Sequence, residues 1–200
     1  MDTNETITPV TPEIKPPKKE EKFGILDFGK SLIFSIVFVV LFTTFVAKPI
    51  RVNGSSMYPT LVDKELGFSN VFTLKTFGIQ RFDVVIVYVD QLQEYLVKRV
   101  VALPGETVEY HDETLYIDYE PVEENFFDES YVAQIKQQTG MDFTQSFGPY
   151  TLKEGEVWLL GDNRPYSSDS RRFGPFTIDK IVSKDAYILF PLDKIRIITK

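Results

Sequence analysis

The chain has 200 residues, 43% hydrophobic and 26% charged, with 22 Lys and Arg against 29 Asp and Glu for a net charge of −7. That length suits one domain with a core plus a short appendage, and the acidic balance argues against a nucleic-acid partner, which needs a basic footprint. The absence of cysteine excludes thiol catalysis, disulfides, iron–sulfur clusters and Cys-ligated zinc, and any His-based triad must use the single histidine, His111.

Residues 1–22 carry Pro9, Pro12, Pro16 and Pro17 among Thr, Glu and Lys. Such a segment buries too little apolar surface to offset its ordering entropy, so it reads as a disordered tail. Residues 23–48 follow as an anchor around the uncharged run Ser31–Ala47, SLIFSIVFVVLFTTFVA, bracketed by Lys30 and Lys48. Those seventeen residues would span roughly 26 Å as a helix, near the lower limit for a bilayer core, and the lysines can snorkel. Apolar residues occupy every face, unlike a helix on a soluble core. Cleavage after Ala47 would put bulky Phe45 at the −3 position, so an uncleaved anchor fits better than a signal peptide. Five lysines on the N-terminal side (Lys15, Lys18, Lys19, Lys22, Lys30) against Lys48, Arg51 and Lys64 place the N-terminus in the cytoplasm and residues 49–200 outside it.

Beyond the anchor, short β-branched and aromatic runs predict strands at Phe82–Val89, Tyr95–Leu103, Thr114–Tyr119, Val157–Leu160, Ala186–Phe190 and Ile195–Thr199. The fold class is therefore mainly β. From Glu106 to Asp142 eleven acidic residues face one lysine, Lys136. This reads as a solvated insertion, about 106–150, projecting from the β domain and remote from chemistry. His111 lies inside it and reads as part of a solvated turn.

Three segments stand out chemically. Gly54-Ser55-Ser56-Met57-Tyr58-Pro59-Thr60-Leu61 can present a hydroxyl beside backbone N–H groups, although taken alone it reads sooner as an ordinary Ser-rich turn. Lys98 interrupts Tyr95–Leu103, a strand apolar on both faces. Burial there would lower the amine's pKa and make it a general base, unless the strand lies at an edge and the lysine reaches water. Gly161–Arg171, GDNRPYSSDSR, is dense in polar groups: it is either a solvated loop or a hydrogen-bonded site, with Asp169 and Arg171 able to pair. Together they supply a nucleophile, a base and an orienting group without histidine.

These residues resemble bacterial type I signal peptidase, the membrane-bound Ser/Lys leader peptidase, in its Gram-positive, single-span form. The likeness is carried in order by SMYPTL (56–61), RFDVV (81–85), KRVVALPGE (98–106) and GDNRPYSSDSR (161–171). The resemblance implies a signal-peptidase-like β domain with a small inserted β lobe, preceded by one transmembrane helix. It implies Ser56 as nucleophile and oxyanion N–H donor, Lys98 as general base, and Ser167 holding the Lys98 amine. Asp169 and Arg171 would brace the last box, with Arg99 structural. Ile50, Val52, Met57, Leu61, Ile86, Leu96 and Val97 would wall the pockets for small P1 and P3 side chains. No metal or cofactor is implied. The partners implied are secretory preproteins with their signal peptides, the lipid bilayer and the nearby Sec translocon. Gly54 stands where some members have a second oxyanion-donating serine, and Ser183 where glycine is common; the latter is expected to alter local backbone. Extended substrate would add beside strands such as 82–89.

Two other readings compete. A non-catalytic, membrane-anchored β domain that binds exported peptides leaves the lysine between apolar neighbours unexplained. A soluble self-cleaving Ser/Lys repressor lacks a DNA-binding region here and has no use for the anchor.

Overall fold

The computed structural model describes residues 24–200; the tail expected over 1–22 lies outside the described residues. Helix α1 runs Ile25–Phe45, 21 residues, a rise of about 32 Å at 1.5 Å per residue. It takes in the segment ahead of the uncharged run, where Asp27 and Lys30 pair at 3.5 Å. Among the described residues it is the one helix long and apolar enough to cross a membrane. It stops short of Val46 and Ala47 because Pro49 disfavours helix at Lys48, and because Ala47–Arg51 pairs as strand β1 with β2, Leu66–Asn70. Neither strand carries enough alternation to be read from sequence.

The mainly β expectation holds. After β2 come helix α2 (Val71–Phe77), β3 (Val84–Val89), β4 (Glu94–Ala102), β5 (Thr107–His111), β6 (Thr114–Ile117) and β7 (Glu120–Val122). Helix α3 (Glu129–Thr139), β8 (Phe147–Thr151), β9 (Glu156–Leu160), the short α4 (Ser170–Phe173), β10 (Phe176–Thr177), β11 (Ile181–Phe190) and β12 (Arg196–Ile198) complete the chain. The larger sheet has the order β1-β2-β11-β3-β4-β9-β10, with β12 on β11; the smaller is β7-β6-β5-β8. Every pairing is antiparallel.

Strand β3 reads VVIVYV because it is covered on both faces, as continuous apolar strands are. Val85, Val87 and Val89 pack with Val100 and Leu159 on one side, and Val84 packs with Val52, Met57 and Leu61 on the other. Both its edges are also taken, by β4 and β11. The expected addition of substrate beside 82–89 is therefore corrected: β3 has no free edge. Among the described residues, open edges lie instead on β1, which pairs only with β2, and on the first half of β4, since β9 pairs with β4 only from Arg99 onward.

The acidic insertion forms the smaller sheet together with α3, which begins at an Asp128 N-cap accepting from the Tyr131 N–H at 3.0 Å. Its core stacks Tyr110 on Phe147 and Phe147 on Trp158. Its acidic residues are mostly exposed, as expected, but the expectation that the lobe lies remote from the site is corrected, because two of its side chains reach the 161–171 segment, as described next.

Candidate active site

Strand β4 passes from exposed at Glu94 and Tyr95, through half-buried at Leu96 and Val97, to fully buried at Lys98. Lys98 is 1% exposed, so its side chain does not escape to water along its stem. Its Nζ lies 2.8 Å from Ser56 Oγ and donates to the Val97 carbonyl at 2.9 Å, folding back along its own strand. Burial pushes the amine down to about 8; the Asp169 and Asp162 carboxylates pull it up, and the Arg171 guanidinium pushes it down. At that value about a fifth of the amine is neutral near pH 7.4, against about a thousandth for an ordinary lysine. A neutral amine has two N–H donors and one lone pair. With one N–H on Val97, the lone pair is free to take a proton from Ser56.

Ser56 sits on the turn 54–61, held from four directions. Gly54, at φ +85°, adopts a conformation that L side chains rarely take, and its N–H donates to Asp63 Oδ1 at 2.8 Å. Thr60 Oγ1 donates to Asp162 Oδ2 at 2.6 Å. Arg196 donates to the Thr60 carbonyl at 2.8 Å while pairing with buried Glu65. Asn163 donates its backbone N–H to the Ser56 carbonyl at 3.0 Å and its side-chain Nδ2 to the Ser55 carbonyl at 2.9 Å. Among the described residues the Ser56 N–H has no hydrogen-bond partner.

The 161–171 segment is a hydrogen-bonded site and not a solvated loop: Asp162, Asn163, Arg164 and Asp169 are all 3% exposed or less. Arg171 grips Asp169 with two bonds, at 2.9 and 2.8 Å. Burial raises the Asp169 carboxyl, but Arg171 holds it below the usual carboxylate range. Asp169 in turn accepts from the Gly161 N–H at 3.1 Å. Gly161 has to be glycine, since a Cβ there would strike the Ser167 side chain and the Ser56 carbonyl. Nothing local in the sequence marks that close approach. Ser167 Oγ is buried beside this contact and has no hydrogen-bond partner among the described residues. The structure does not give Ser167 the expected hydrogen bond to Lys98, whose amine is taken up by Ser56 and Val97.

Arg99, next to Lys98, makes a bidentate pair with Asp162 at 2.8 and 2.7 Å and donates to the Phe82 carbonyl. From the insertion, Glu124 pairs with fully buried Arg164, whose guanidinium lies over the Phe127 ring. The Tyr131 hydroxyl donates to Asn163 Oδ1 at 2.9 Å. Neither Glu124 nor Tyr131 was singled out by the sequence.

A groove of about 640 Å³ runs between β1 and the open half of β4. Ile50, Ile86, Leu96 and Val97 line it as expected. Val52, Met57 and Leu61 do not; they are 4% exposed or less and pack with Val84, Ala186 and Ile188. Their side chains turn inward and anchor the 54–61 turn to the core. Ser183 lines the same groove, its hydroxyl 2.7 Å from Ser69 Oγ, and the β11–β3 register shifts between Ile181 and Ser183.

The family model described as "Signal peptidase, peptidase S26" matches residues 25–190. Signal peptidase I P of Bacillus subtilis subsp. natto is 34% identical over 178 residues, covering 88% of this chain and 95% of that one. Signal peptidase I S of Bacillus subtilis strain 168 is 35% identical over 189 residues, covering 92% and 98% respectively. A crystal structure of a signal peptidase I from Enterococcus faecalis aligns with a TM-score of 0.46 at 35% identity, over 53% of this chain and 95% of that one.

Proposed function

Because the chain belongs to the signal peptidase, peptidase S26 family, we propose that this signal peptidase I enzyme removes N-terminal signal peptides from secretory preproteins through Ser56 and Lys98. The observation that carries the mechanism is the 2.8 Å separation of Ser56 Oγ from the amine of buried Lys98. Neutral Lys98 takes the Ser56 proton as Oγ attacks the scissile carbonyl carbon. The free Ser56 N–H donates to the oxyanion that forms. Protonated Lys98 then gives its proton to the leaving amine, so the C–N bond breaks and leaves an ester on Ser56. A water molecule attacks that ester, its proton passing to Lys98. Collapse releases the new carboxylate as Ser56 Oγ recovers the proton.

Ser167, with its buried and unpartnered hydroxyl, is the group available to hold the amine as its charge changes. Asp169 and Arg171 brace the segment that carries it. The groove lined by Ile50, Ile86, Leu96 and Val97 admits an extended chain with small P1 and P3 side chains, of the Ala-x-Ala type. The strand edges of β1 and β4 suit main-chain pairing with that chain.

The working position is the cell membrane, single-pass, with the tail 1–22 cytoplasmic, 23–48 as anchor and 49–200 extracytoplasmic, near the Sec translocon that delivers preproteins. Helix α1, apolar on every face, supports the lipid partner. So does a row of cross-strand neighbours, Pro49, Phe68, Tyr187 and Ile197, which leaves Phe68 and Ile197 exposed.

The test incubates the full chain in detergent, as wild type, Ser56→Ala and Lys98→Ala, with a preprotein bearing an Ala-x-Ala junction, and weighs the products. Cleavage at the junction by wild type alone is the expected result. Cleavage persisting in either variant would overturn the dyad. An intact substrate in all three, with folded protein, would favour a peptide-binding domain.

A further inference from the structure

The oxyanion donor and the acidic insertion are connected by two hydrogen bonds. The Ser55 carbonyl and the Ser56 N–H belong to one planar, trans peptide unit and point in opposite directions. Whatever fixes the Ser55 carbonyl therefore fixes the aim of the Ser56 N–H. Two donors do so: the Tyr58 N–H at 3.0 Å and Asn163 Nδ2 at 2.9 Å.

Asn163 can hold that carbonyl only with its amide turned so that nitrogen, not oxygen, faces Ser55. The two orientations have nearly the same shape, so packing distinguishes them poorly and hydrogen bonding must decide. Its backbone N–H is already committed to the Ser56 carbonyl. The deciding contact is the Tyr131 hydroxyl, which donates to Asn163 Oδ1 at 2.9 Å and is satisfied only by an acceptor oxygen if that proton is to be used. Asn163 is 3% exposed, which leaves little room for water to replace the phenol.

Tyr131 is itself well placed to act as a fixed arm. It lies in the first turn of α3, where the Asp128 N-cap holds its backbone N–H. Its ring meets Tyr58 edge-on at 5.0 Å between centroids and packs against Phe143. Tyr58 stands two residues beyond Ser56, so ring and hydroxyl both bear on the nucleophile turn.

We propose that Tyr131, contributed by the inserted lobe, is a positioning residue that sets the Asn163 amide and through it the direction of the oxyanion-donating Ser56 N–H. This inference rests on the Ser56/Lys98 reading. It gives the acidic insertion a part in the reaction: the lobe supplies the last link in a chain Tyr131–Asn163–Ser55 carbonyl–Ser56 N–H.

The test uses the full chain in detergent and an Ala-x-Ala preprotein. Tyr131→Phe removes only the hydroxyl and keeps the ring on Tyr58 and Phe143. The expected result is kcat lowered about tenfold, a fraction of the loss that follows removal of a whole oxyanion donor, with KM unchanged, since the substrate groove is untouched. Asn163→Ala is expected to lose at least as much. Adding Tyr131→Phe to it should cost nothing further, because the two residues act through one path. A purely structural role would lower both variants independently and would not separate kcat from KM. Wild-type kcat in Tyr131→Phe, or additive losses in the double variant, overturns the proposal while an inert Ser56→Ala leaves the dyad standing. Activity retained in Ser56→Ala overturns both.

Discussion

Arg99 and Asp162 face each other as a bidentate ion pair with each side chain 1% exposed. The pair joins two parts of the site, since Arg99 follows Lys98 on β4 and Asp162 also accepts from Thr60 on the turn that carries Ser56. Removing one partner leaves a buried charge without compensation, at a cost of about 3–5 kcal/mol. Asp162→Ala is expected to lower the denaturant midpoint accordingly and to abolish cleavage. Asp162→Ala with a wild-type midpoint would refute that account of the pair.

Under the proposed mechanism the pH dependence of cleavage follows from the Lys98 amine, which burial brings down to about 8. The base would be the neutral form, so kcat/KM is expected to rise with pH through about 8 and level off above it. Lys98→Arg keeps the charge but cannot lose its proton, and should match Ser56→Ala at every pH. A rate independent of pH between about 6 and about 10 would rule out Lys98 as the group that titrates.

The same group makes folding pH-dependent. The amine titrates at about 8 in the folded chain against 10.5 ordinarily, so between those values the unfolded chain binds more protons and stability rises with pH. Below about 8 both states carry the charge, and the folded state bears the whole cost of burying it. Lys98→Met should therefore stabilise the protein at neutral pH by up to about 3 kcal/mol, at 1.36 kcal/mol per pH unit, and by progressively less toward pH 10.5. Chemical unfolding of the two proteins at neutral and alkaline pH measures this difference directly.

Gly161 is the point where the 161–171 segment touches the turn that carries Ser56. Gly161→Ala has to push away either the Ser167 side chain or the Ser56 carbonyl. A displacement of about 1 Å in a reacting geometry costs on the order of a hundredfold in rate. A loss of that order is expected in kcat. Unaltered turnover would mean that the contact yields without moving Ser56.

Ile86 is 7% exposed and lines the groove from β3. Ile86→Ala enlarges the space available to a substrate side chain without touching Ser56 or Lys98. Changing a pocket by a few methyl groups shifts discrimination by roughly 10–200-fold. The variant is expected to accept larger residues near the junction, read as the ratio of kcat/KM for Ala and Leu substrates. An unchanged ratio would place the selective contact elsewhere.

Lys98 could be read as buried from sequence because its flanks, Leu96, Val97, Val100 and Val101, are apolar on both faces. Alternation reports just such two-sided cover. The pocket walls came from the family resemblance, which matches positions and carries no depth, so it groups Met57 and Leu61 with Ile86 although they anchor the turn from below. Helix α3 was missed because only Ile135 of its eleven residues is buried, which leaves no apolar stripe to detect. Glu124 and Tyr131 were missed for a different reason. Their partners stand 40 and 32 residues away in the chain, and an acidic segment looks the same whether one of its carboxylates is solvated or paired with a buried arginine. Gly161 likewise depends on Ser56 approaching from another part of the fold.

The open edges of β1 and of the first half of β4 have a consequence for how many different chains one cleft can serve. Backbone amides and carbonyls are common to every residue, so a ligand gripped by strand edges is held without regard to most of its side chains. Only the few positions that point into the groove carry information. Under the proposed activity the recognised message is short, a spacing and two size limits, and the residues around it are free to diverge. A new exported protein would then need no change in this enzyme to be processed, only a junction that lies flat along those two edges.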